Sequence, residues 1–284
     1  MFRLANVDDR AALVHDERWY DLAAVSGDAT LGDPMVAVAR HAELHAHAAA
    51  VAAGDHGSGG AVADVELGPP VPHPSQVFAI GLNYRSHAEE SNLTPSEHPV
   101  TFTKFPSCLV GPTADIPLTG DQVDWEVELV AVVGRTARGV AAADAWEHVA
   151  GLTLGQDVSD REIQLRGMPP QFSLGKSAAA FGPIGPAVVS LDAFDDPGDV
   201  GLWCDVSGER MQASRTSDLI ADVPALVAYL SSICTLRPGD LIFTGTPGGV
   251  GMGRGRYLRV GDVVESGAEV IGTLRNVCVG GGAG

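Results

Sequence analysis

The sequence predicts a mixed α+β fold, predominantly β, with a small N-terminal domain over residues 1–71 and a larger domain over residues 72–284. Three observations predict it. The 284 residues include 35 glycines and 18 prolines, a supply of turns suited to many short strands rather than a helical bundle. From Val77 onward, apolar strand-like runs alternate with glycine turns. Between the two parts, Pro69, Pro70, Pro72 and Pro74 punctuate the chain.

In the first part, Arg3–Val7 and Ala12–His15 are short strand candidates, and an Ala/His-rich helix is expected near Pro34–Ala53. The following AGDHGSGG, Ala53–Gly60, has the composition of a flexible stretch. In the second part, strands are expected at Val77–Gly81, Thr101–Phe105, Trp125–Gly134, Leu241–Gly245 and Val263–Ile271. Helices are expected at Arg85–Ser91, Ala141–Ala150 and Ser217–Ser232. The last is apolar at Leu219, Ile220, Val223, Leu226, Val227 and Leu230, a helical spacing. No internal repeat is visible.

Composition narrows the function classes. Apolar residues make up 45%, enough for a sizeable core. The net charge of −18 argues against nucleic acid and against anionic membrane surfaces. The four cysteines, at 108, 204, 234 and 278, form no CxxC pair and no secreted-type framework. No charged leader with an apolar stretch opens the chain, and no 18-residue apolar span occurs. A reduced, cytoplasmic protein is the expectation.

The most telling chemistry is Glu126 and Glu128, one residue apart in an apolar strand-like run. In a strand, residues i and i+2 face one side, so both carboxylates project together. Adjacent buried anions repel and lose hydration, which favours a hard divalent cation between them; an ordinary alternating strand is the alternative. Asp157 is a third oxygen donor, or else the N-cap of a following helix. Carboxylates alone suit Mg²⁺ or Mn²⁺ better than Zn²⁺.

His87 and Glu90, three apart on the Arg85–Ser91 helix, share a face. A carboxylate beside an imidazole suits a general base, and equally suits a surface pair. Lys176 is a lone cation in a small-residue stretch and needs an anionic partner: a substrate oxyanion or a structural carboxylate. The segment 239–251 is a strand running into a glycine loop, whose N–H groups can hold anions or simply form a turn. No Gly-Lys-Ser/Thr follows, so it is not a P-loop. His41, His45 and His47 lie in a polar Ala-rich helix, and no Gly-x-Ser-x-Gly elbow occurs.

Seven blocks, taken together and in order, resemble the fumarylacetoacetate hydrolase family. They are Gly81-Leu-Asn-Tyr-Arg-Ser-His87-Ala-Glu-Glu90, Pro99-x-x-Phe102-x-Lys104, Asp124-Trp-Glu126-Val-Glu128-Leu129, Asp157-Val-Ser-x-Arg161, Gly175-Lys176-Ser177, Gly185-Pro186 and Gly239-Asp240 through Gly251. The resemblance covers roughly residues 72–278. It implies a β-roll or sandwich catalytic domain with a few helices, usually dimeric. It implies Mg²⁺ or Mn²⁺ (Ca²⁺ in crystals) on Glu126, Glu128 and Asp157, with His87 and Glu90 activating water and Lys176 steadying the substrate oxyanion. It places Arg161, Gln164 and Thr246 on substrate oxygens. Three positions depart from the family pattern: Ala179, Gln156 and Ser207.

The activity implied is C–C hydrolysis of a 2,4-dioxo acid such as an acylpyruvate or fumarylpyruvate, in the breakdown of aromatic compounds. The alternative is isomerase or decarboxylase chemistry at the same site, on 2-hydroxyhepta-2,4-diene-1,7-dioate-like or oxaloacetate-like acids. The partner expected is a small α-keto or dioxo acid, with neither nucleic acid nor membrane, in a homodimer. Specificity is expected from the N-terminal part, Ser91–His98 and Gln164–Ser173.

Overall fold

The computed structural model describes residues 1–54, 59–90 and 96–281. Its organising element is Val127–Val133, buried at every position. A strand covered on both faces sits centrally in a sheet. It pairs antiparallel with Val149–Gln156 on one side and Leu241–Phe243 on the other. Beyond Leu241–Phe243 lie Val77–Gly81, in parallel, and then Val100–Thr103. Beyond Val149–Gln156 lies Gly182–Val189, and Arg3–Val7 pairs with that strand. The strands Arg10–His15, Arg18–Asp21 and Gly59–Ala61 extend the same sheet outward. Residues from the first 71 therefore share the main sheet with the rest of the chain.

A second, five-stranded sheet contains Gly201–Val206, Glu209–Arg215, Val263–Ala268, Gly272–Gly280 and Ile116–Leu118. One apolar cluster runs through both sheets, from Phe2 to Cys278. The fold is mixed α+β and mostly sheet, as the turn-rich composition predicts.

Local differences from the sequence expectation have local causes. The N-terminal helix breaks into Pro34–Ala39 and His41–Ala52. Between them Arg40 leaves helical geometry, and its guanidinium holds Asp28 and Glu43. Gly59 and Gly60 of the expected flexible stretch belong to a strand; residues 55–58 lie outside those described. The helix expected at Ser217–Ser232 starts only at Val223, where Asp222 caps it through the Ala225 N–H and Pro224 occupies the first turn. Ala142–His148 is a 3₁₀ helix that passes into strand at Val149.

All four cysteines are free, with Cys108, Cys204 and Cys278 buried and Cys234 partly exposed. Burial pushes the Cys204 and Cys278 thiols up to about 12 and raises that of Cys108. Because the thiolate is the reactive form, a disulfide reagent should titrate one thiol in the folded protein, at Cys234, and all four in denaturant. Rapid reaction of a second native thiol would contradict this burial. Among the described residues no helix is long and apolar enough to cross a membrane.

Candidate active site

The central strand and its neighbour bring three carboxylates together. Glu128 lies in Val127–Val133, opposite Gly155. Glu126 stands just before that strand, where the regular ladder ends. Two side-chain amides replace the missing backbone partners: Gln156 Oε1 accepts the Glu126 N–H at 2.9 Å, and Gln212 Oε1 accepts the Val127 N–H at 3.0 Å. Asp157 follows Val149–Gln156, and its N–H reaches the Glu126 carbonyl at 2.9 Å. Glu126, Glu128 and Asp157 are all buried, and each offers an oxygen within 4.8 Å of the others. Asp157 is not a helix cap; Asp160 takes that place, accepting the Ile163 N–H at 3.1 Å.

Three cations answer these anions. Lys176 Nζ lies 2.7 Å from both Glu126 Oε2 and Asp157 Oδ2. Its placement depends on Gly175, where a Cβ would come within 2.5 Å of the Gln164 backbone nitrogen. Gly175 thus lets the short helix Phe172–Gly175 close on Arg161–Gln164. Arg161 reaches Asp124 Oδ2 at 2.6 Å, Glu126 Oε1 at 2.7 Å and Gln164 Oε1 at 2.8 Å. Lys104, fully buried, lies 2.7 Å from Asp157 Oδ1 and donates to the carbonyls of Phe181, at 3.0 Å, and of Lys176.

Burial opposes ionisation of Glu126, yet Lys176 and Arg161 hold its carboxyl below the usual carboxylate range. Burial also opposes the charge on Lys176, yet Asp157 and Glu126 raise its pKa overall. Glu128 behaves oppositely: burial and the charges of Asp157 and Glu126 push it well up, against the Gly245 N–H.

The glycine loop holds anions, and they are the chain's own. Gly245 N–H binds Glu128 Oε2 at 2.7 Å, Gly249 N–H binds Glu90 Oε2 at 2.9 Å, and the N–H groups of Gly251 and Met252 bind Asp124 at 2.7 and 2.9 Å. Gly245 has φ +103°, and a Cβ there would lie 2.8 Å from the Asn83 Cβ, so no other residue fits easily. His87 sits on Arg85–Glu90 with Nδ1 3.7 Å from Glu90 Oε2, too long for a hydrogen bond. Among the described residues that buried Nδ1 has no hydrogen-bond partner.

A cavity of about 270 Å³ opens over this assembly. His87, Glu126, Arg161, Gln164, Lys176 and Thr246 line it. Glu128 and Asp157 adjoin the lining through Glu126, and Glu90 through His87. Thr246 Oγ1 donates to the Val127 carbonyl at 2.9 Å and accepts from Gln212. No lining residue precedes Ile80, so among the described residues the N-terminal part does not touch the cavity. All nine residues singled out from the sequence gather here. Sequence reasoning assigned no role to Lys104, Asp124 or Gln212. A signal for Lys104 was available, since it and Lys176 are the only lysines in the chain.

Residues 76–279 match the family described as fumarylacetoacetate (FAA) hydrolase, C-terminal. The chain belongs to the fumarylacetoacetate hydrolase family. A mitochondrial oxaloacetate tautomerase of Bos taurus is 41% identical over 214 residues, covering 74% of this chain and 68% of the relative. A crystal structure of a candidate HpcE protein from Mycobacterium smegmatis is 45% identical with a TM-score of 0.91, covering 98% of this chain and 99% of the other. A maleylpyruvate hydrolase from Sphingobium sp. SYK-6, solved with manganese(II) and pyruvate, is 30% identical with a TM-score of 0.81, covering 98% and 99%. The family thus spans hydrolase and tautomerase names on small oxo acids.

Proposed function

We propose that this chain is a divalent-metal-dependent hydrolase that cleaves a C–C bond in a 2,4-dioxo acid. The observation that carries the reading is the meeting of three buried carboxylates with His87 and Lys176 at one cavity. The donor set is oxygen only, which fits Mg²⁺ or Mn²⁺. Charge balance fits as well. Asp124, Glu126, Glu128 and Asp157 face Lys104, Lys176 and Arg161, and Glu128 is the carboxylate with no cation against it. When bound to Glu126, Glu128 and Asp157, a divalent cation would outweigh this single excess negative charge, leave the site positive for an acid substrate, and polarise a keto oxygen.

The chain's own groups supply the remaining steps. Arg161 and Gln164 hold the carboxylate end of the substrate. His87, facing the cavity with Glu90 beside it, takes a proton from water. The hydroxide adds to the distal carbonyl, and the C–C bond breaks to give a carboxylic acid and the enolate of an α-keto acid. Lys176 steadies that developing charge, and protonation of carbon completes the reaction. A small N-terminal domain and a homodimer in the cytoplasm belong to the same reading.

A second reading is tautomerisation, or related isomerase or decarboxylase chemistry, at the same site. It is favoured by the 41% identity to an oxaloacetate tautomerase and by the open 3.7 Å His87–Glu90 pair, since enolate formation needs no activated water. His87→Ala separates hydrolysis from decarboxylation. The variant should lose about 10²–10⁴-fold in acetylpyruvate cleavage, while oxaloacetate decarboxylation changes only a few-fold. Undiminished acetylpyruvate cleavage would remove His87 from the mechanism.

A further inference from the structure

We propose that Phe102 is a positioning residue for Lys176: the face of its ring holds the ammonium by a cation–π contact and leaves one N–H of the lysine free for a substrate oxygen. The proposal rests on the reading above that Lys176 steadies developing negative charge, and it adds what keeps the lysine in place.

Lys176 ends a flexible stem, so its ammonium needs restraints from outside. Two are carboxylates, Glu126 Oε2 and Asp157 Oδ2, each at 2.7 Å. The third is aromatic. Nζ lies 5.0 Å from the centroid of the Phe102 ring, inside the roughly 6 Å over which a ring quadrupole attracts a cation. Lys176 is buried, and such a contact is strongest where water is excluded. An ammonium has three donors. Among the described residues the carboxylates take two, and Lys176 meets no third acceptor. A ring restrains the charge without consuming that last donor as a carbonyl would.

Lys104 is the internal comparison. Its ammonium is 5.9 Å from the Phe243 centroid, yet it already has three oxygen acceptors. Hydrogen bonds alone fix it, and no donor is left over. Lys176 has one to spare, and both it and Phe102 line the cavity.

The ring is itself held. Phe102 lies in Val100–Thr103, opposite Ala79, and meets Phe172 edge to face with centroids 5.6 Å apart. Phe172 opens the short helix whose C-cap is Lys176. Hydrogen bonds join strand to helix on either side of the pair: the Thr103 N–H to Ser173 Oγ at 3.4 Å, and the Phe105 N–H to Ser177 Oγ at 2.9 Å. Strand and helix thus carry ring and ammonium as one unit. A ring that served only as apolar filling would be indifferent to its electronics, and that difference is measurable.

Mono-, di- and trifluorinated phenylalanines at position 102 of the full chain weaken the negative face of the ring in steps and change its size little. The readout is the Kd of oxalate, a dianionic mimic of an α-keto acid enolate, measured by calorimetry with saturating Mg²⁺. Log Kd should rise with each fluorine, to about tenfold weaker binding for the trifluorinated ring. With Lys176→Met the same series should be flat, because the coupling requires the ammonium. A flat series in the unaltered background, an equal slope with Lys176→Met, or no oxalate binding by the parent overturns the proposal. Cleavage of acetylpyruvate is assayed alongside. Its failure with the slope intact would sink the hydrolase reading and leave the positioning role standing.

Discussion

Lys104→Met should lower the melting temperature by roughly 10 °C and take most of the activity with it. The ammonium is fully buried, and its three donors are all committed: to Asp157 Oδ1 and to the carbonyls of Lys176 and Phe181. Methionine matches the aliphatic length and removes the charge. The Asp157 carboxylate then loses one of its two cations in a fully buried place, a change that typically costs about 3–5 kcal/mol. For a chain of this size that corresponds to a fall in Tm on the order of 10 °C. Activity should fall because Asp157 and the backbone of Lys176 are anchored by the same ammonium, so both shift together. Lys104→Arg should fail as well, since a planar fork cannot meet three acceptors arranged around a tetrahedral nitrogen. Thermal melts and acetylpyruvate assays check this; a Lys104→Met variant within about 2 °C of the parent, equivalent to a change of only about 1 kcal/mol, would show that the buried contacts contribute little.

Asp157→Asn should weaken Mn²⁺ binding by more than about 100-fold, beyond the 10–100-fold typical of losing a group that only orients a ligand. The substitution preserves shape and removes one of the three negative charges that converge within 4.8 Å. It also leaves Lys104 and Lys176 sharing a neutral amide, so turnover should drop below detection. Mn²⁺ affinity followed by electron paramagnetic resonance separates loss of the ion from loss of fold, and chelation of the parent should abolish activity reversibly. Unchanged Mn²⁺ affinity in Asp157→Asn would remove this residue from the ligand set.

The anionic half of the site was legible in the chain because it is local. Glu126 and Glu128 announce themselves by i,i+2 spacing in an apolar run, His87 and Glu90 by three-residue spacing, and the loop after Leu241–Phe243 by its glycines. The cationic half was less legible because its partners are distant. The acceptors of Lys104 lie 53, 72 and 77 residues further along. Asp124 looked like part of a motif, whereas it ties Arg161 to the N–H groups of Gly251 and Met252. In the fold, Gly182–Val189 hid as a strand because Gly-Pro-Ile-Gly-Pro has no alternation and few β-formers. Nothing near Arg3–Val7 indicates that it will pair with Val188 and Val189, so continuity of the sheet past the Pro69–Pro74 run could be learned only from three dimensions.

With both lysines committed to Asp157 and with lysine absent everywhere else, the protein's surface carries no side-chain amine. Amine-directed dyes and cross-linkers find no exposed lysine to react with, and lysine-specific proteases have no accessible cleavage point at Lys104 or Lys176 until the structure opens. Isotopic enrichment in lysine alone would place a spectroscopic reporter on each side of a single carboxylate, with no background from elsewhere in the molecule.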